Sequence, residues 1–312
     1  MKTRHAFTLV EVLTVVVIIS ILATLVTVAA AAAMRAAKIG RVGMEASHIA
    51  RALESYKADF GEYPPDFFDD IELVRHVKRR WPRMDFSLKP PGVIDAEYIR
   101  DSINGGYREY NNTVDFTAVR SPLGALAFWL GGFPDTEGKL SGFNADPENP
   151  FFANPFIRLE DRVYDKKEYL GKRELGENKS VRLEQVGGGA RIPVIGTEIS
   201  TGNFVPFVYF KGKADGGDSA YRFNLPSTPD VIKYLGLGDL GRCVPYAEEK
   251  DNGSGIVKWK NSTTFQLIHP GMDGRFGTDN ERIINTGNGI LQPDLDNITN
   301  ISDYKELKSI LP

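Results

Sequence analysis

Glu11 is the residue whose setting most demands chemistry. It stands at the leading edge of a run from Val12 to Met34 that carries 23 residues without a charge. A carboxylate at membrane depth is costly, so it needs a partner. Elsewhere the reactive residue types are sparse. His5, His48, His76 and His269 are scattered with no close pair, so a histidine-built metal site or relay would need long-range assembly. The lone cysteine, Cys243, excludes an internal disulfide and a cysteine-rich zinc site, and with Val244 beside it and no histidine near in sequence it reads as a buried, inert thiol. The segment Gly236-Leu237-Gly238-Asp239-Leu240-Gly241 has the G-x-G-x-x-G spacing of a dinucleotide loop. Cys243-Val244-Pro245 follows where a helix must begin, so a tight loop is the better account. Gly187-Gly188-Gly189 lacks the Lys-Ser/Thr of a phosphate loop and reads as a turn. No acid, base and nucleophile set can be assembled, and the expectation is a protein that is not an enzyme.

The element that positions Glu11 is a long helix. As a helix, Val12 to Met34 spans about 34 Å against a hydrocarbon core of roughly 30 Å. Lys2, Arg4 and His5 precede it, which places this end in the cytoplasm and the rest of the chain across the membrane. A secretory signal peptide is the competing reading, with Ala29 to Ala33 as a cleavage site. Against it stand the length of the run, its β-branched Val and Ile, and Glu11 itself. Beyond Met34 the pattern becomes one-sided: Ile39, Val42, Ala46, Ile49, Leu53, Tyr56 and Phe60 recur in steps of three and four, with Arg41, Glu45, His48, Arg51 and Glu54 elsewhere. Gly61 followed by Pro64-Pro65 ends the helix. The chain of 312 residues carries 38 Lys+Arg against 41 Asp+Glu, a formal charge of -3, so no basic field exists to collect nucleic acid.

Ala6-Phe7-Thr8-Leu9-Val10-Glu11-Val12-Leu13 resembles the prepilin processing motif of type IV pilins and type II secretion pseudopilins. The resemblance implies that a membrane peptidase cuts between Ala6 and Phe7 and methylates the new amine of Phe7. The family usually has Gly before the cut, where this chain has Ala6. The family's membrane glutamate maps onto Glu11, which in assembly would meet the amine of a neighbouring subunit and set its register. Expected partners are therefore other pilin-like subunits, prepilin peptidase, an inner-membrane assembly platform and membrane lipid, with no nucleic acid. The expected location is the inner membrane, single-pass, with the head outside the cytoplasm and later in a periplasmic fibre.

For the head, Asp66 to Trp81, Asp95 to Ile103 and Leu123 to Leu130 behind the Ser121-Pro122 cap have helical character, and Gly132 to Pro155 reads as loop. Strands are expected at Phe204 to Lys211, Ala220 to Asn224, Ile256 to Lys260, Thr263 to Ile268 and Glu281 to Asn285. The first and fourth look like the paired strands of the major pseudopilin head. The fold class is thus α+β: a leader at 1–6, a transmembrane half-helix at 7–34, an amphipathic half at 35–61, a helical and loop insertion at 62–203 and an antiparallel sheet head at 204–312. His269 to Glu281 is similar to the loop that holds calcium in major pseudopilins. That implies calcium on Asp273 and Asp279 with loop carbonyls, although Asn280 replaces one acid of the family's pair. A solvated Asx and Gly turn is the plainer reading of the same residues. The function these features imply is that of a structural pilin-like subunit. The alternative is a membrane-anchored extracytoplasmic protein that binds a ligand with its insertion and uses the helix only as an anchor.

Overall fold

The computed structural model describes residues 8–108, 122–151, 158–165, 169–170, 181–186, 190–200, 202–213, 215–217, 219–225, 228–232, 235–236, 240–251, 257–278, 282–287 and 289–311. Helix α1 runs unbroken from Leu9 to Phe60, 52 residues. Its start is a capping box: Thr8 Oγ1 accepts from the Glu11 amide at 3.3 Å while the Glu11 carboxylate accepts from the Thr8 amide at 2.8 Å. Its end is Gly61 at φ 77°, a left-handed cap whose amide donates to the Lys57 carbonyl.

The two halves of α1 differ as the patterning requires. Up to about Met34 the helix is exposed on all sides, long and apolar enough to cross a membrane, with its apolar window unburied by the rest of the chain. Its few hydroxyls are satisfied within the helix, since Thr14, Ser20, Thr24 and Thr27 each donate to the carbonyl four residues back at 2.8 Å. That arrangement leaves none of these four hydroxyls in need of water in a hydrocarbon environment. In the second half Val42, Ala46, Ile49, Leu53 and Tyr56 are buried, and Ile39 and Phe60 pack partly against the same core.

Helix α2 (Asp70–Arg80) is capped by Asp69, which accepts from the amides of Ile71 and Glu72. It starts later than the spacing predicts because Phe67 is buried in a left-handed conformation at φ 66°. Asp66, expected within the helix, is instead buried and accepts from the Phe68 and Lys211 amides. Helix α3 (Asp95–Arg108) runs past Ile103 through Gly106, where a Cβ would lie 2.4 Å from the Phe133 ring. Helix α4 (Pro122–Gly131) begins on proline and is buried along its whole length. The expected cap, Ser121, lies outside the described residues. From Gly132 to Phe151 the chain turns back on itself, with isolated bridges from Gly132 to Gly142 and from Pro134 to Leu140.

The strands are short: β1 (Val181–Val186), β2 (Ala190–Ser200), β3 (Asn203–Pro206), β4 (Val208–Lys211), β5 (Arg222–Leu225), β6 (Thr228–Ile232) and β7 (Leu235–Gly236). They continue with β8 (Arg242–Cys243), β9 (Tyr246–Lys250), β10 (Val257–Trp259), β11 (Phe265–His269), β12 (Arg282–Ile283), β13 (Ile298–Thr299) and β14 (Lys305–Glu306). Among the described residues they pair antiparallel throughout, apart from the parallel contact of β12 with β9. The central sheet has the order β14-β13-β11-β4. Its β4–β11 pair, with Val208 opposite Ile268 and Lys211 opposite Phe265, joins the two segments that resemble the paired strands of a pseudopilin head.

The strands, too, differ from expectation, and β6, β9, β13 and β14 are not among those expected. The segment from Phe204 to Lys211 is two strands, because Pro206 has no amide to donate: β3 pairs with β2, and β4 with β11. The β1–β2 hairpin lies within the stretch read as helix and loop, and β3 completes its sheet. The core beneath α1 is strongly aromatic, with Phe67, Trp81, Phe128, Trp129, Phe133, Phe143 and Phe151 buried together.

Candidate functional site

Ala6 and Phe7, the expected cleavage and methylation positions, lie outside the described residues. Glu11 sits on the first turn of α1, where its Oε2 accepts from both the Thr8 amide and the Thr8 hydroxyl at 2.8 Å. The carboxylate therefore has a partner inside its own chain. It closes the helix N-terminus and lies close to the segment in which a processed chain would begin.

The acidic loop is built by glycines and by residues far along the chain. Gly271 and Gly274 take left-handed conformations, at φ 70° and 72°, which β-carbons disfavour. At Gly271 a Cβ would fall 2.2 Å from the Asp296 carbonyl oxygen. Asp296 Oδ2 accepts from the Met272 amide at 2.7 Å and the Asp273 amide at 3.1 Å, so it organises the turn. Asp273 Oδ1 accepts from the Arg275 amide at 2.8 Å. Burial, together with nearby acid charges, raises the proton affinity of Asp273 and Asp296 above the ordinary carboxylate range. Asp296 Oδ1 is buried and accepts no hydrogen bond among the described residues. Asp279 lies outside the described residues, and no group of three or more acids, histidines or cysteines is placed to hold a metal among those described. Beside the turn, Asp294 is fully buried against Arg282 at 2.9 Å and accepts from the Gly277 amide. Sequence reading missed Asp294 and Asp296, because they follow the loop by some twenty positions and only the fold returns them to it.

The scattered histidines fall into distinct settings. His48 is exposed on α1 and His5 is outside the described residues. His269 is buried, with Nε2 2.9 Å from Thr197 Oγ1 and Nδ1 accepting from the Gly271 amide at 3.1 Å. His76 is buried between Tyr56 Oη, 2.7 Å from Nε2, and Glu62 Oε1, 2.9 Å from Nδ1. Burial lowers the His76 pKa to about 4. For Glu62, burial pushes the carboxyl up, but the His76 hydrogen bond and the Lys211 and Arg75 charges outweigh it and hold the value at about 2. Because His76 is neutral at pH 7, the cations and the hydrogen bond keep Glu62 ionised there. Glu62 also meets Arg75 at 3.1 Å and Lys211 at 3.6 Å, while Lys211 meets Glu72 at 2.6 Å.

Of the enzyme-like segments, Gly187 to Gly189 and Leu237 to Asp239 lie outside the described residues. Gly236 pairs with Arg242 in the β7–β8 ladder, so the chain after the segment enters strand β8 where a dinucleotide loop would enter a helix. Cys243 is buried in β8, where burial raises its thiol pKa far above the ordinary value.

Against this geometry, no curated protein and no solved structure matched the chain. Residues 1–27 match the family model described as the prokaryotic N-terminal methylation motif. This motif marks a substrate of the prepilin peptidase type, and its position at the head of a long, exposed apolar helix is consistent with a type IV pilin-like protein.

Proposed function

We propose that the protein is a structural, non-enzymatic subunit of a secretion pseudopilus or type IV pilus-like fibre, cut between Ala6 and Phe7, methylated on Phe7 and assembled through α1. The observation that carries this reading is the combination of the methylation motif with an apolar half-helix that no described residue of the head covers. An apolar surface of that length must be covered by lipid or by other helices. The same half-helix serves both states: it holds the precursor in the membrane and then forms the fibre core. Within the membrane Glu11 is closed onto Thr8, which lowers the cost of carrying a carboxylate there. In the fibre it exchanges part of that contact for the amine of a neighbour's Phe7 and so sets axial register.

The head is the extracytoplasmic surface of the subunit. Arg35 binds Glu306 at 2.7 Å, and the helix meets β13 and β14, so the head is seated on the spine near the point where the apolar run ends. Calcium in the 271–278 turn belongs to this proposal. The described donors that suit a hard cation are Asp273, Asp296 with its unpartnered buried Oδ1, and the carbonyls of the turn, with Asp279 beyond them in sequence. A bound ion would neutralise two carboxylates that burial now disfavours.

The test is assembly in cells that produce a prepilin peptidase and a fibre platform. Cysteine crosslinking along α1 should trap ladders of this chain with pilin-like subunits. A chain that is processed yet stays monomeric under crosslinking refutes the fibre role.

A further inference from the structure

Where the C-terminal ends of α1 and α2 meet, Asp59, Phe60, His76, Arg79 and Arg80 line a pocket of about 150 Å³. A water occupies about 30 Å³ in the liquid, so the space holds about five waters, room for the polar group of a small solute but not for a large ligand. Two guanidinium groups line it, and no carboxylate among the described residues forms an ion pair with either. Asp59, the acid of the pocket, accepts from Tyr169 Oη at 2.6 Å.

Arg80 is held without being neutralised. Its guanidinium carbon lies 4.2 Å from the centre of the Phe60 ring, 4.3 Å from that of Trp81 and 4.4 Å from that of Phe143. Aromatic faces attract a cation but leave its N–H groups available to an acceptor. Its Nη1 donates to Tyr56 Oη at 2.8 Å. That oxygen is oriented in turn: the Glu62 carboxylate can only accept, so His76 carries its proton on Nδ1 and takes the Tyr56 hydroxyl hydrogen on Nε2. A chain of donors from Arg80 through Tyr56 and His76 to Glu62 thus fixes the guanidinium. Behind it the Glu62 charge is met by Arg75 and Lys211. Arg79 is exposed and occupies room left by Gly61, where a Cβ would fall 2.8 Å from Arg79 Nη2.

We infer that Arg79 and Arg80 form a receptor for a single oxyanion, the phosphate or carboxylate group of a small dissolved solute. A guanidinium fork pairs its two N–H groups with two oxygens of a carboxylate or of a tetrahedral phosphate, which an ammonium group cannot do. A lipid headgroup is excluded by position, because Phe60 lies 26 residues beyond Met34, about 39 Å further along the helix.

The experiment uses the full chain in uncharged detergent, in a buffer free of phosphate, and titrates sodium phosphate, sodium acetate and sodium chloride by calorimetry at constant ionic strength. Saturable binding of phosphate or acetate over chloride is expected, and whichever binds assigns the class. Arg79→Gln should weaken it by roughly tenfold or more, as loss of a charge-assisted hydrogen bond requires. Arg79→Lys, which keeps the charge without the fork, should fall between. Gly61→Ala, which displaces Arg79 while leaving both guanidiniums in the chain, should also weaken binding. Heats for phosphate and acetate no different from chloride overturn the inference. So does wild-type affinity in a folded Arg79→Gln chain, because this exposed side chain forms no ion pair or hydrogen bond among the described residues.

Discussion

Acidification from pH 7 to pH 5 should loosen the head through two buried histidines. In the fold His76 binds its proton at about 4 and His269 at about 3, against the ordinary 6.5 of an unfolded chain, and burial is the leading cause for both. The bonding explains the direction. His76 Nε2 is occupied by the Tyr56 hydroxyl and His269 Nδ1 by the Gly271 amide, so a second proton on either ring must displace a donor. Because both folded values lie below the unfolded one, stability is full above about 6.5 and is lost as pH falls toward the folded values. At pH 5 the unfolded ring is almost fully protonated and the folded ring is not, and linkage then gives a loss of about 2 kcal/mol for each histidine. At roughly 2–4 °C per kcal/mol for a domain of this size, the melting temperature should drop by about 8–16 °C. Asp273 and Asp296, whose proton affinities are raised, act in the opposite direction, so the diagnostic is the difference between variants. The assay is a circular-dichroism melt of the full chain in detergent at both pH values, with His76→Gln and His269→Gln alongside. Each substitution removes one titrating ring and should recover about half of the drop. Equal drops in the wild type and both variants would refute the assignment of the acid sensitivity to these rings.

Glu11→Ala should leave the precursor in the membrane but stop its entry into fibres, read by membrane fractionation and crosslinked ladders; normal ladders would remove the register role. Gly43→Val should destabilise the seating of the C-terminal turn on α1 by about 1–3 kcal/mol, because even a Cβ at this position lies 2.6 Å from the Tyr304 carbonyl oxygen; an unchanged melt would contradict that packing. Calcium at 100 times its dissociation constant should add about 2.7 kcal/mol to the stability of the full chain. That gain should vanish in Asp273→Ala and in Asp296→Ala, whereas equal melts in calcium and in chelator would leave the turn a plain polar loop.

The spine was legible in the sequence because its signals are local. The charge-free run, the three-and-four spacing from Ile39 to Phe60 and the Gly61 stop each report a property of neighbouring residues, and the helix follows them closely. The Thr8-x-x-Glu11 capping box is equally local, and it gives the membrane acid a partner three residues away. Helix α2 shows where local reading fails. Its periodicity extends back to Asp66, yet tertiary demand turns Phe67 left-handed into the aromatic core and gives Asp66 to the Lys211 amide, 145 positions on. The acidic loop shows the same limit at longer range, since Asp296 organises a turn from which sequence separates it by more than twenty residues. Likewise the Glu62–His76–Tyr56–Arg80 chain draws on three elements, and no spacing rule joins them.

The central claim, that this chain is a processed pilin-like subunit, is tested most directly by the mass of its mature N-terminus. Co-expressed with a prepilin peptidase, the protein should lose residues 1–6 and begin at Phe7 with one added methyl group on the amine. A mature chain beginning near Met34 would mean a conventional signal peptide, and an intact Met1 in the presence of active peptidase would mean a plain anchor; either result contradicts the account.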